Sequence, residues 1–288
     1  YLAEDLLAVA RALDLEPRAI QVDPSLGDEW RAVRVDMVGP VSAKVADDVQ
    51  LLIEDAVRRK DVNFVCLWID SAGGSLTDSM RLANFLALDL DSAQIRTVAY
   101  VPDQALADAA LVALACDQIV MGPRALLGGE GASLFSEDDV VHAQKTIREV
   151  LGPAKTRSWS IPVALIDPDL EVFRYTRLGT IKYSECFCEE ELSEQVGAEQ
   201  WEKGEPITEP GRPLQITGSE AVEYWLVNHT AEDFGEFKRF YGLENDPDLL
   251  EPGWADFLIR QLASPQFSSM LLLIGFLALY VELQAPGV

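Results

Sequence analysis

Two short segments hold the residues whose types and spacing could do chemistry. The first, Asp70-Ser71-Ala72-Gly73-Gly74-Ser75, directly follows the unbroken apolar run Phe-Val-Cys-Leu-Trp-Ile at 64–69. Open parallel sheets take up ligands at the carboxyl ends of such strands. Consecutive glycines let backbone amides face a ligand with no Cβ between, which suits stabilisation of an oxyanion. Alone, the same pair serves equally well as a tight strand-to-helix turn. The second segment, Ala105-Leu106-Ala107-Asp108-Ala109-Ala110, reads as the small-residue start of a helix over 105–115, where short side chains permit close packing. Other reactive types are sparse. Cys186 and Cys188 share one face if their segment is a strand, but two soft ligands do not make a metal site. His142 falls mid-helix and reads as a surface or packed histidine. With only two histidines in the chain, there is little material for a histidine-rich metal site or a serine-histidine triad.

The elements that must position these segments follow from periodicity. Residues 32–38 alternate, with Val33, Val35 and Met37 on one face, and read as a strand. Ser42 is a suitable N-cap for a helix to about Lys60, whose Val45, Val49, Leu52, Ile53 and Ala56 form an apolar stripe. The runs 64–69 and 95–101 show no alternation, as expected of strands covered on both faces. A helix bearing Met80, Leu82, Phe85 and Leu86 separates them, and 118–121 is a further short strand leading into Gly128-Gly129-Glu130-Gly131. Ser136 and Asp139 have capping-box spacing at the head of a helix over 136–151. Alternating strands and helices with short turns predict right-handed crossovers and a mostly parallel sheet, an α/β fold. An amphipathic helix is expected over 4–14, strands or loops over 162–175, a strand and helix over 214–225, and an acidic amphipathic stretch over 237–250.

Residues 185–209 hold nine Glu around the single Lys203 and read as a solvated insertion. Near the end, 270–281 (MLLLIGFLALYV) is free of charge but shorter than the ~20 residues of a bilayer span, so physics alone favours a buried core helix. The chain opens on Tyr1 and stops after this run, and is read as a fragment. Over the whole chain, 48 acidic against 23 basic side chains give a net charge of −25, which argues against nucleic acid as a partner. Hydrophobic residues at 49% exclude a disordered chain.

In order, Ile69-Asp70-Ser71-Ala72-Gly73-Gly74, Val98-Ala99-Tyr100-Val101, residues 105–121, Leu126-Leu127-Gly128, residues 213–221 and the closing Gln284-Ala285-Pro286-Gly287 resemble the NfeD family of membrane-anchored serine proteases. These are relatives of ClpP and signal peptide peptidase A in the ClpP/crotonase superfamily. The resemblance covers residues 34 to the end, with 183–209 as an unmatched insertion. It implies repeated strand-helix units around a mostly parallel sheet, followed by a C-terminal membrane helix. It divides the chain into a helical linker at 1–30, read as the end of a preceding module, a ClpP-like domain at 31–250, and an amphipathic segment with the start of a membrane region at 251–288.

The family's nucleophilic serine corresponds to Ala107, whose methyl cannot attack a carbonyl. Its lysine base lies on the helix after the Gly-rich loop. There the sequence offers only Lys145, beyond an acidic head of Glu137, Asp138 and Asp139 that would hold a nearby amine protonated. What the resemblance leaves is a binding half. The amides of Gly74 and Asp108 border an oxyanion-type pocket, and the edge at Gly73, Gly74 and Ser75 accepts an extended peptide by strand addition. The resemblance thus implies a membrane-anchored, oligomeric protease homologue without cofactors, binding peptide or partner subunits outside the cytoplasm. Two other readings are an active endopeptidase with a relocated nucleophile, such as Ser71, Ser75 or Ser133, and a crotonase-type enzyme acting on an acyl-CoA. For the second, lone Arg124 is the only cation near the Gly-rich loops.

Overall fold

The computed structural model describes residues 29–284 except 133–134, 156–157, 179–183, 196, 225 and 254–264. The expected helix over 4–14 and Ser133 lie outside the described residues. Those up to Leu250 form one compact unit, and those from Glu251 onward form a second.

In the first unit, β1 (Ala32–Val38), β2 (Phe64–Asp70), β3 (Arg96–Val101), β5 (Gln118–Met121), β11 (His229–Thr230) and β12 (Asp248–Leu250) form one sheet. Its order is β11-β5-β3-β2-β1-β12, and every neighbouring pair is parallel. The apolar run of β2 shows why alternation is absent. Val65, Leu67 and Ile69 enter the larger core beneath α1 (Ala43–Lys60), α2 (Leu76–Asn84) and α3 (Ala109–Ala115), while Phe64 and Cys66 enter a second core on the opposite face. That second core is aromatic: Phe237 of α8 (Phe234–Tyr241) packs between Phe64 and Tyr100 with ring centroids 6.5 and 5.1 Å away. Burial on both faces removes the period-two signal and leaves a continuous apolar run.

Two smaller sheets complete the unit. The strands β4 (Gln104–Ala105), β6 (Leu126–Gly128) and β10 (Gln215–Thr217) associate in the order β10-β6-β4. The Glu-rich region contributes β8 (Ser184–Phe187) and β9 (Trp201–Pro206), which flank the preceding β7 (Phe173–Arg177) in an antiparallel sheet ordered β8-β7-β9, with α6 (Glu189–Glu194) between β8 and β9 in the chain.

Several expectations are corrected. The helix expected from Ala105 starts at Ala109, because Gln104 and Ala105 pair with Leu126 and Leu127 and Ala107 adopts a left-handed backbone. The strand or loop expected from Pro162 begins instead inside α5 (Ser160–Ala164). The helix α4 (Glu137–Thr146) has the expected capping box at Ser136 and Asp139, then continues through a π-helical turn at Ile147–Leu151 to Lys155. The insertion is solvated only in part: Glu202 to Glu205 of β9 are exposed, but Cys186, Cys188 and Glu191 are buried.

In the second unit, α9 (Pro265–Gln284) is a helix of 20 residues. The large apolar side chains described between Met270 and Tyr280 are exposed, from 46% at Met270 to 69% at Phe276, which corrects the reading of a buried core helix. The resemblance implied a membrane helix here. Among the described residues, however, no helix is long and apolar enough to cross a membrane.

Candidate functional site

The carboxyl ends of β2 and β3 bring the two chemically interesting segments together. The residues after β3 double back and pair with Ser71: Ser71 N–H donates to Gln104 O at 3.1 Å, and Leu106 N–H donates to Ser71 O at 2.9 Å. This local ladder sets Ala107 and Asp108 against the Gly-Gly turn. Ala107 has φ +47° and is 1% exposed. An alanine in this left-handed region costs roughly 1–2 kcal/mol, so the turn is held by its surroundings and not by local preference.

The glycines have steric reasons to be there. Gly73 has φ +88°. A Cβ on Gly74 would lie 2.1 Å from Val41 O, because Val41 bridges to Gly74 in parallel. Val41 N–H donates to Gly73 O at 3.3 Å and Ser75 N–H donates to Val41 O at 2.9 Å. The edge expected to accept an extended peptide at Gly73, Gly74 and Ser75 is therefore paired on this side with the chain's own Val41. On the other side, the loop after β6 lies across Ala72 and Ala107. Ala132 N–H donates to Ala72 O at 2.7 Å, and a Cβ on Gly131 would come within 2.9 Å of the Ala107 methyl.

Asp108 is fully buried and does not cap α3. Its carboxylate accepts the Gly74 N–H at 2.8 Å and the Ser79 hydroxyl at 2.5 Å. The amide expected to face a bound oxyanion thus donates to a carboxylate of the same chain. Nothing in local sequence signals this contact, since the partners are 34 residues apart.

Beside Ala107 opens a cavity of about 580 Å³. One wall is α4, which presents Glu137, Val140, Val141 and Gln144, a spacing that sets them along one helix face. Lys145 is exposed and is not among the lining residues, so the amine that the family pattern requires does not border this cavity. The same helix carries His142, exposed, into a separate cavity of about 550 Å³ with Met80 and Asn84.

The chain's other lysine near this region has a different task. Lys155 pairs with Asp117 at 2.8 Å, with both side chains nearly fully buried. Burial alone would raise the Asp117 pKa. The Lys155 ammonium and hydrogen bonds from Thr97 and Ser92 outweigh it and hold the carboxyl below its ordinary value. Glu191 shows the reverse balance. Burial pushes its pKa up, against hydrogen bonds from Ser160, Ser158 and the Trp159 amide.

Of the alternative nucleophiles, Ser71 and Ser75 are otherwise engaged, and Ser133 lies outside the described residues. Ser71 is buried and its Oγ accepts the Gly73 N–H at 3.2 Å, while Ser75 Oγ caps α2 by accepting the Asp78 N–H at 3.4 Å. Burial pushes the Cys186 thiol up to about 11, and Cys188 Sγ accepts the Glu191 N–H at the head of α6. Among the described residues no cluster of three His, Cys, Asp or Glu side chains could hold a metal ion.

No family model matches the chain. Over 229 residues it is 24% identical to the membrane protein NfeD1b of Bacillus subtilis (strain 168), a match that covers 78% of this chain and 44% of that protein. The chain therefore spans less than half the length of this relative. A point mutant of the 1510-N membrane-bound stomatin-specific protease, solved with a substrate peptide, superposes with a TM-score of 0.52 at 15% identity, covering 81% of this chain and 97% of that one. The chain is thus similar in sequence to an NfeD membrane protein and shares the α/β fold of this membrane-bound protease.

Proposed function

We propose that this protein is a membrane-associated, oligomeric homologue of the NfeD-type serine proteases whose cleft binds peptide or partner subunits without cutting them. The domain described here stands outside the cytoplasm in this reading. The observation that carries it is residue 107: a left-handed, strained turn presents a side chain to the cavity, and that side chain is a methyl. Without an oxygen, sulfur or amine at this position no acyl-enzyme forms there. The hydrogen bond from the Gly74 amide to the Asp108 side chain supports the same reading, because that donor is already engaged within the chain and does not point freely at a tetrahedral intermediate. Lys145 outside the cavity lining supports it further. Membrane association rests on similarity to NfeD1b.

Incubation of the purified chain with a fluorescent fluorophosphonate tests the loss of covalent chemistry. No labelled band is expected. A band that disappears in Ser71→Ala or Ser133→Ala would overturn the reading in favour of a relocated nucleophile.

A further inference from the structure

The cavity beside Ala107 combines two properties that define what fits it. Phe135, Val140 and Val141 give it apolar walls, and Glu130, Glu137, Asp167 and Asp169 line it with carboxylates. Among the described residues its lining includes no Lys, Arg or His. Among the described residues, none of these four carboxylates belongs to an ion pair. A second cavity of about 560 Å³ shares Gly129, Glu130 and Pro213 with the first and extends past Ile207 to Glu209, which pairs there with Arg212 at 3.8 Å. The carboxylates without an ion pair among the described residues are thus those of the first cavity, the shared Glu130 included. The two together form a path for an extended segment rather than a seat for one small molecule.

We propose that this path selects basic peptide segments, with a lysine or arginine side chain seated in the cavity beside Ala107; the proposal rests on reading the cleft as a peptide-binding site. The chemistry of the walls matches the two parts of such a side chain. An aliphatic stem packs on Phe135, Val140 and Val141, and the charged head reaches the carboxylates at the rim. An acidic peptide is excluded by repulsion among like charges held in one concave surface. A wholly apolar segment would fill the walls but strip water from several carboxylates without pairing them.

Fluorescence anisotropy with short fluorescein-labelled peptides tests this on the full chain. One peptide carries two arginines among leucines and alanines; in two others, leucine or glutamate replaces the arginines. The arginine peptide is expected to bind roughly tenfold or more tighter than the leucine peptide, a difference of about 1.4 kcal/mol. The preference should fall when ionic strength rises from about 0.1 M to about 1 M, which shortens the screening length from ~10 to ~3 Å. It should also fall in Glu137→Gln/Asp169→Asn. The pair Glu244→Gln/Asp248→Asn, on a separate cavity, removes the same charge and should keep the preference. Both pairs involve exposed side chains, so folding is not at stake. Equal binding of the leucine peptide would overturn the basic selectivity and leave peptide binding standing. An equal loss in the two double variants would reduce the effect to overall charge and overturn the site. Absence of binding by every peptide would overturn both this proposal and the binding half of the functional reading, independently of the fluorophosphonate result.

Discussion

Putting an oxygen back at residue 107 adds one atom and should not restore an enzyme. Ala107→Ser would place a hydroxyl under Gly131, next to an amide already bonded to Asp108, and with no lysine among the residues lining the cavity. General-base assistance and an oxyanion donor are each worth roughly 10²-fold or more in rate, and their losses compound. Hydrolysis of fluorescent casein by Ala107→Ser is therefore expected to stay at the background of the parent chain. Robust cleavage by that single variant would show that a base reaches the site from elsewhere. That residue 107 carries only a methyl was legible in the sequence, and the ordered motifs around it set that residue against the family's nucleophile by resemblance. The Asp108 contact was not: a small-residue helix start says nothing about which distant amide its carboxylate meets.

Elements here are joined by a few buried charges, and the ion pair of Lys155 with Asp117 is the one with the clearest expected signature. It ties the extension of α4 to the start of β5, where Asp117 also accepts from the Thr97 N–H and hydroxyl and from Ser92. Lys155→Met leaves a buried carboxylate without its cation, a change that typically costs about 3–5 kcal/mol. The pH dependence has a definite sign. Asp117 has a folded pKa below the ordinary aspartate value of 3.8, so its contribution is present above that value and disappears as pH falls through the lower folded pKa. Urea melts of parent and variant should differ most at neutral pH and converge in that acid range. A constant gap would mean that the lysine acts through its packing and not its charge. The same kind of long-range link explains what sequence reading missed at this scale. The bounds of β1, α1 and β5 followed from alternation, a capping serine and a short apolar run, all local signals. Ser160–Ala164 is helical because the Glu191 carboxylate, 31 residues away, accepts from the first amides of that turn. The Glu-rich composition that hid this contact is a reliable guide to exposure only for residues without such a partner.

For the molecule as a whole, charge and an uncovered apolar helix make opposing demands. A net charge of −25 makes close approach of copies costly and repels anionic surfaces. α9, by contrast, presents Leu272, Leu273, Ile274, Phe276, Leu277 and Leu279 to solvent, each more than half exposed. A helix apolar on all sides is stable only when something covers it, as a core or a lipid phase does. Its charge-free run of 12 residues would reach about 18 Å at 1.5 Å per residue, against a hydrocarbon core of about 30 Å, so burial in lipid does not require that this run alone span the bilayer. The full chain should therefore float with phosphatidylcholine vesicles in a density gradient, and less well with vesicles rich in phosphatidylserine, because the acidic unit is pushed from an anionic surface. Leu273→Gln/Leu277→Gln leaves the charge unchanged and removes apolar surface from the middle of α9, so it should lower the floated fraction on both kinds of vesicle. Flotation indifferent to this double change would place the lipid contact elsewhere in the chain, and flotation favoured by phosphatidylserine would mean that charge repulsion does not govern how the acidic unit meets the surface.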